Sequence, residues 1–201
     1  MRVGVVILAA GESRRGPGKL SWSLCGRPLI EWPMKAALSL RAFKRVIVVG
    51  SPLSLEALST VPWVLDSFTV VFNPRYAEGI ASSIKAGVKS LEGCVDYYLF
   101  MHGDMPFVTV DLLERLVKKV LDDGLEAAYT RHGDRPGPPA VFTRSIERLI
   151  RFLEGDRGAA ALRGLLKHGY VNPGNPLELI DIDTVEDLER ANTLCRTLRQ
   201  D

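Results

Sequence analysis

The stretch Val3 to Ala9 is a continuous apolar run rich in Val and Ile, and it runs straight into LAAGESRRGPGK, Leu8 to Lys19. An apolar run with no alternation is a strand buried on both faces, as in a parallel sheet covered by helices. A glycine-rich connection after such a strand lies at the carboxyl end of the sheet, where open α/β sheets bind their ligands. This juncture excludes all-α and all-β folds and makes the first loop the first place to look for function.

The rest of the chain extends the pattern. A helix is expected from Pro28 to about Leu40, with Pro33 as a kink, and a second buried strand at Arg45 to Gly50. Phe68 to Phe72 reads as a third strand, ended by Asn73-Pro74. Ala81 to Leu91 follows as a helix with Ile84, Val88 and Leu91 on one face. Tyr97 to Met101 is the fourth strand. Thr109 caps a helix from Val110 to Leu121. The second half is more broken. A strand is expected at Ala127 to Thr130, then a loop from Gly133 to Pro139 and a strand from Ala140 to Thr143. Short helices flank Gly155-Asp156-Arg157-Gly158. The last strand is expected at Leu177 to Ile182. It leads into a helix from Val185 to Leu198, capped by Thr184 with Asp187 reinforcing the start. The alternation implies one three-layer α/β domain over residues 1–201 with a mixed, mostly parallel sheet.

Composition narrows the function classes. Net charge is only +2, and no aromatic-basic stripe occurs, so nucleic acid is not expected as a partner. The first apolar run is too short to span a membrane. Three cysteines, Cys25, Cys94 and Cys195, share no CxxC spacing, which speaks against a disulfide framework or zinc and for a reducing cytoplasm. One Gln and four Asn make the chain poor in thermolabile amides, a reported feature of heat-adapted proteins.

Four segments carry chemistry. In the first loop, Gly11, Gly16 and Gly18 let backbone N–H groups approach a ligand, while Arg14, Arg15 and Lys19 supply cations suited to phosphate. The loop is neither of the two best-known phosphate motifs. Pro17 stands where a P-loop needs Lys, and Gly16-Pro17-Gly18 lacks the third glycine of a dinucleotide fingerprint. Asp104, in Gly103-Asp104-Met105-Pro106, follows a buried strand at the same sheet end. A carboxylate there can hold Mg²⁺, which binds one or two carboxylates together with substrate phosphates. Asp181 and Asp183 share one face of the expected last strand, so Asp183 can face Asp104 across a metal. Asn73, Gly79, Ser82 and Ser83 gather amide and hydroxyl groups at a strand end and a helix start.

At these residues the chain resembles the MobA-like nucleotidyltransferases, the family that includes the molybdenum cofactor enzymes. Leu8-Ala9-Ala10-Gly11-x-Ser13-x-Arg15, Gly16, Lys19 and Gly26-x-Pro28-Leu29 match its signature. Asn73-Pro74, Gly79, Ser83 and Gly87 look like the second motif of its cytidylyltransferase branch, and Gly103-Asp104-Met105-Pro106 like its metal motif. Arg135, Gly137 and Pro139, then Gly155 to Ala159, then Asp181 to Leu188 follow its later blocks in order. The resemblance implies a nucleotide-diphospho-sugar transferase-type fold, with residues 1–107 as its nucleotide-binding half and 108–201 as its acceptor half, and CTP, or GTP, in contact with Leu8, Ala9, Ala10, Gly11, Ser13, Arg15, Lys19, Asn73, Gly79, Ser83 and Asp104. It implies Mg²⁺ on Asp104 and Asp183, with Lys19, Arg15 and Asp104 as the catalytic groups. It implies a molybdopterin-type phosphate acceptor, whose ionised phosphate needs no general base, and handover of product to a molybdoenzyme or its chaperone. The chain departs from the family in three places. The loop is one residue short, Gly137-Pro138-Pro139 replaces a triplet that commonly carries His, and His102 stands where a small or apolar residue is usual. His102 is expected to be a strand-end residue. Rival readings are transfer to a sugar or alcohol phosphate, and nucleotide binding without catalysis.

Overall fold

The computed structural model describes residues 1–197 except Glu12 and Arg14, with side chains to residue 194. Strand β1 is Val3–Leu8, followed by a 3₁₀ turn at Lys19–Ser21 and a small hairpin of β2, Ser23–Leu24, and β3, Arg27–Pro28. Helix α1, Glu31–Ser39, precedes β4, Lys44–Val49; then come α2, Pro52–Ser59, α3, Val64–Ser67, and β5, Thr69–Phe72. Helix α4, Ile80–Leu91, leads to β6, Tyr97–His102, and α5, Val110–Asp122, to β7, Ala127–His132, and β8, Arg135–Thr143. The chain closes with α6, Ile146–Leu149, β9, His168–Val171, and α7, Val185–Thr197.

Seven strands make one sheet in the order β5-β4-β1-β6-β8-β7-β9. Strands β5, β4, β1 and β6 are parallel; β8 runs antiparallel to β6 and β7, and β9 returns parallel to β7. The fold is therefore a three-layer α/β domain with a mixed, mostly parallel sheet. All six residues of β1 are buried. Val3, Val5 and Ile7 pack with α1, α2, α3 and α5 on one face, and Val6 and Leu8 with α4 and α6 on the other. Each such side chain contributes about 1.5–3 kcal/mol.

A third, smaller core bears directly on function. Leu24 of the hairpin and Leu29 just after it pack with Ile182 and with Ala191 of α7. The Ile182 N–H donates to the Asp104 carbonyl at 3.0 Å, so this core fastens the 180–184 segment beside the end of β6.

Several local expectations are corrected. Leu177 to Ile182 is not a strand. Pro176–Leu179 is a 3₁₀ turn opened by Asn175, which forms a capping box with Glu178, and the following residues reach Asp104 as irregular extended chain. Pro28 belongs to the hairpin, and Pro33 lies in the first turn of α1, where its missing N–H interrupts nothing. Helix α2 was not expected; Ser51 caps it and Pro52 opens it. The expected Gly133–Pro139 loop is mostly strand, because Arg135 to Gly137 pair with β7 alone, while β6 joins only from Ala140. Prolines are tolerated where one side of a strand is open. Strand β9 was also missed. Cys25 is disulfide-bonded, against the expectation from the cysteine pattern, and Cys94 is a free thiol. An odd count still allows one bonded pair, and missing CxxC spacing bears on local metal and redox motifs only. Arg14, one of the three loop cations, and the helix end at Leu198 lie outside the described residues.

Candidate active site

Two backbone bonds fix the carboxyl ends of the central strands. Ala9 N–H donates to the Val48 carbonyl and Gly103 N–H to the Leu8 carbonyl, both at 2.9 Å. The glycine loop and the segment carrying Asp104 therefore leave the sheet side by side. The loop is tightened by Gly16 N–H to Ser13 O at 2.9 Å and Lys19 N–H to Gly16 O at 3.0 Å. A Cβ on Gly16 would stand 2.6 Å from the Asp183 carbonyl oxygen and equally close to the Trp22 ring. Gly16 thus allows the loop to press against the 180–184 segment.

These elements surround a cavity of about 400 Å³. Leu8, Ala9, Ala10, Gly11, Ser13, Arg15, Lys19, Gly79, Ser83, Asp104 and Asp183 all line it. Tyr76, Ile80, His102 and Asp156 line it too, and the sequence pattern had not assigned them a contact. Asn73 does not line this cavity. It borders a separate polar pocket of about 310 Å³, and its Nδ2 donates to the Ser82 and Ser83 hydroxyls at 2.8 and 3.1 Å. Its place is one step behind the wall, where it orients Ser83.

The charged centre is Lys19. Its side chain is only 7% exposed, and its Nζ lies 2.6 Å from both Asp104 Oδ2 and Asp183 Oδ1. Burial pulls the ammonium pKa down, but the charges and hydrogen bonds of the two carboxylates outweigh it and hold Lys19 above the usual lysine value. Arg15 reaches the other oxygen of Asp183 at 2.5 Å from a side chain that is 74% exposed. The sequence reading set Asp104 opposite Asp183 across a metal ion; in the structure the Lys19 ammonium lies between the two carboxylates.

Asp104 is shared between two environments. Its Oδ2 is on Lys19, whereas its Oδ1 is buried with no hydrogen-bond partner. One ligand atom from each of His102, Asp104 and Asp181 lies within 4.8 Å of the other two. Asp181 is pushed up to about 6, first by desolvation and then by the Asp104 and Asp183 charges, against the pull of His102 and Lys19. A buried, unpaired carboxylate oxygen costs free energy that a cation can recover. The donor set fits a divalent ion that also touches phosphate.

The opposite wall carries a single carboxylate among the described lining residues, Asp156, and is closely built. Gly79, at φ 101°, precedes α4, and a Cβ there would fall 2.3 Å from the Gly155 carbonyl carbon and 2.7 Å from Asp156 Oδ1. Ala81 N–H donates to Gly155 O at 3.0 Å. This contact brings Asp156 to the cavity. The sequence signal for it is Gly155-Asp156-Arg157-Gly158, whose glycines permit the approach.

Residues 5–171 match the family model for the MobA-like NTP transferase domain. The chain is 27% identical over 192 residues to molybdenum cofactor cytidylyltransferase of Escherichia coli, covering 92% of this chain and 93% of that one. It is 29% identical over 191 residues to purine catabolism protein PucB of Bacillus subtilis, covering 92% and 90%. Among solved structures, molybdopterin-guanine dinucleotide biosynthesis protein A from Archaeoglobus fulgidus superposes with a TM-score of 0.75 at 24% identity, over 96% of this chain and 99% of that one. No helix among the described residues is long and apolar enough to cross a membrane.

Proposed function

We propose, for a chain that belongs to the MobA-like NTP transferase family and is therefore a nucleotidyltransferase, that it transfers CMP from CTP to the phosphate of a molybdopterin-type acceptor and releases pyrophosphate. The observation that carries the reading is Lys19, a buried ammonium held between Asp104 and Asp183 in the lining of a glycine-loop cavity. The similarity to the Escherichia coli cytidylyltransferase over nearly the whole chain supports the choice of base and acceptor.

The chemistry needs charge placed correctly and little else. An ionised acceptor phosphate attacks the α-phosphorus while the bond to pyrophosphate breaks, so no side chain has to remove a proton. Without ligand, Lys19 and Arg15 spend their charge on Asp104 and Asp183. A triphosphate arriving with a divalent cation offers an exchange of partners. Those carboxylates would hold the cation, which would free Lys19 and Arg15 for phosphate oxygens, where negative charge grows as pyrophosphate departs. Magnesium on Asp104 and its carboxylate neighbours would supply charge neutralisation and alignment of the phosphates. The glycine loop offers backbone N–H groups to the same phosphates. Base and ribose take the neutral wall, with Ser83 and the Gly79 turn as polar contacts. The acceptor enters from the side of the second half of the chain.

The test is pyrophosphate release from CTP, GTP, ATP and UTP in turn, with Mg²⁺ and a molybdopterin-type acceptor or a sugar phosphate. CTP with the pterin phosphate is expected to give the highest kcat/KM. Preference for another nucleotide or for the sugar phosphate would replace the assignment. Tight CTP binding with no pyrophosphate would make the chain a binding protein.

A further inference from the structure

We propose that this chain holds its divalent cation through the imidazole of His102 and the carboxylates of Asp104 and Asp181, and that the nitrogen ligand makes the site prefer a manganese-type ion to magnesium. The inference rests on the nucleotidyltransferase reading only in supplying a reason for a cation, because the site itself is built from geometry.

The three groups converge. His102 is the last residue of β6, in register with Leu8 at the head of the glycine loop, and Asp104 follows two residues later. Asp181 is delivered by the irregular segment that Ile182 fastens to the Asp104 carbonyl. One donor atom from each lies within 4.8 Å of the others, a spread that one ion can draw together. Partner accounting separates this trio from the pair Asp104 and Asp183. Both oxygens of Asp183 are engaged, Oδ1 by Lys19 and Oδ2 by Arg15. Asp104 has one oxygen on Lys19 and one that is buried without a partner. Neither the His102 ring nor the Asp181 carboxylate takes a hydrogen bond or ion pair from the described residues. The unspent donors therefore belong to His102, Asp181 and the Oδ1 of Asp104, and an ion on them does not require Lys19 to leave Asp183 before a triphosphate arrives.

The donor set also bears on which ion binds. Magnesium favours an all-oxygen octahedron and keeps most of its waters. A set with one imidazole suits first-row transition ions, which accept nitrogen and oxygen together. Two carboxylates keep the site hard enough for Mn²⁺ and leave positions for phosphate oxygens.

The experiment is a Mn²⁺ titration of the full chain without nucleotide, followed by electron paramagnetic resonance, with pulsed detection of nitrogen coupling and competition by Mg²⁺. One site with a resolved nitrogen coupling is expected, and Mg²⁺ should displace the ion only at a large excess. His102→Leu should abolish the coupling and weaken Mn²⁺ about tenfold or more, leaving Mg²⁺ affinity nearly unchanged. His102→Gln, closer in volume and polarity, gives the same readout if the Leu variant folds poorly, and Asp181→Asn should also weaken the ion. Absence of nitrogen coupling in the unaltered protein overturns the proposal. So does Mn²⁺ binding that survives His102→Gln and Asp181→Asn but is lost in Asp183→Asn. Nitrogen-coupled Mn²⁺ in a protein that releases no pyrophosphate from any nucleotide would defeat the proposed reaction while confirming the site.

Discussion

The two walls of the cavity are built on opposite principles. The wall formed by the glycine loop, the end of β6 and the 180–184 segment is charged, and its groups are tied to one another: Lys19 to Asp104 and Asp183, Arg15 to Asp183. The wall formed by the Gly79 turn and the start of α4 carries, beside the carboxylate of Asp156, small or neutral side chains, held in place by close backbone packing against Gly155. On the proposed reading, the first wall works on charge that develops during reaction and the second on groups that do not change. Damage to the first should lower kcat, and damage to the second should raise KM.

The sharpest break is Lys19→Ala. Removal of a charge preorganised for the leaving group costs about 10²–10³ in turnover. Asp104→Ala should fall in the same range. Both variants must be shown to fold, by circular dichroism and thermal unfolding, because each leaves a buried partner without its counter-charge. Near-normal kcat in folded Lys19→Ala would remove the charged wall from catalysis altogether.

The neutral wall breaks through its backbone. Gly79→Ala places a Cβ on the Gly155 carbonyl at a φ that side chains rarely adopt. Strain of this kind costs about 1–3 kcal/mol, read as a lower denaturation midpoint. The triphosphate KM should rise with it, since Asp156 and Ser83 flank the displaced turn. A Gly79→Ala protein with unchanged midpoint and unchanged KM would mean that the turn relaxes freely and does not shape the cavity.

The two walls also differ in how readable they were. The parallel strands were legible because β1, β4 and β6 are buried on both faces and their apolar runs have no competing explanation. The charged loop was legible because glycine and basic residues follow such a strand directly. The antiparallel side hid its strands. The start of β8 carries Pro136, Pro138 and Pro139, which local rules assign to a loop, and its pairing with β7 alone is visible only once the sheet order is known. Asp183 was placed by assuming a strand. It reaches the site instead because a capped turn ends at Leu179 and Ile182 is anchored in a core shared with the β2–β3 hairpin. Asn73 was assigned to the ligand from its motif, but its amide is used up in holding two serines. Spacing shows which polar groups gather at a strand end; it does not show which of them face one another and which face the cavity.

Within the charged wall, burial grades the effect. The Lys19 side chain is 7% exposed, whereas that of Arg15 is 74% exposed beside the same Asp183. Solvent screens the arginine, so Arg15→Ala should cost about tenfold in kcat/KM, well short of Lys19→Ala, and the loss should shrink as salt is raised. Equal losses in the two variants at all salt concentrations would show that Arg15 closes onto the triphosphate and is shielded in the working complex.

The smallest expected effect separates contact from support on the neutral wall. Ser83 lines the cavity and receives a hydrogen bond from Asn73, which does not line it. Loss of one neutral hydrogen bond costs on the order of 1 kcal/mol, so Ser83→Ala should raise the triphosphate KM about fivefold and leave kcat nearly unchanged. Asn73→Ala removes the group that aims the hydroxyl, so its effect on KM should travel through Ser83. The double variant then has a KM close to that of Ser83→Ala alone, because residues in one hydrogen-bond chain are not additive. Simple addition of the two effects would give Asn73 its own path to the nucleotide. A fall in kcat equal to the loss in kcat/KM would place Ser83 on groups that change during the reaction, and the division between the two walls would fail there first.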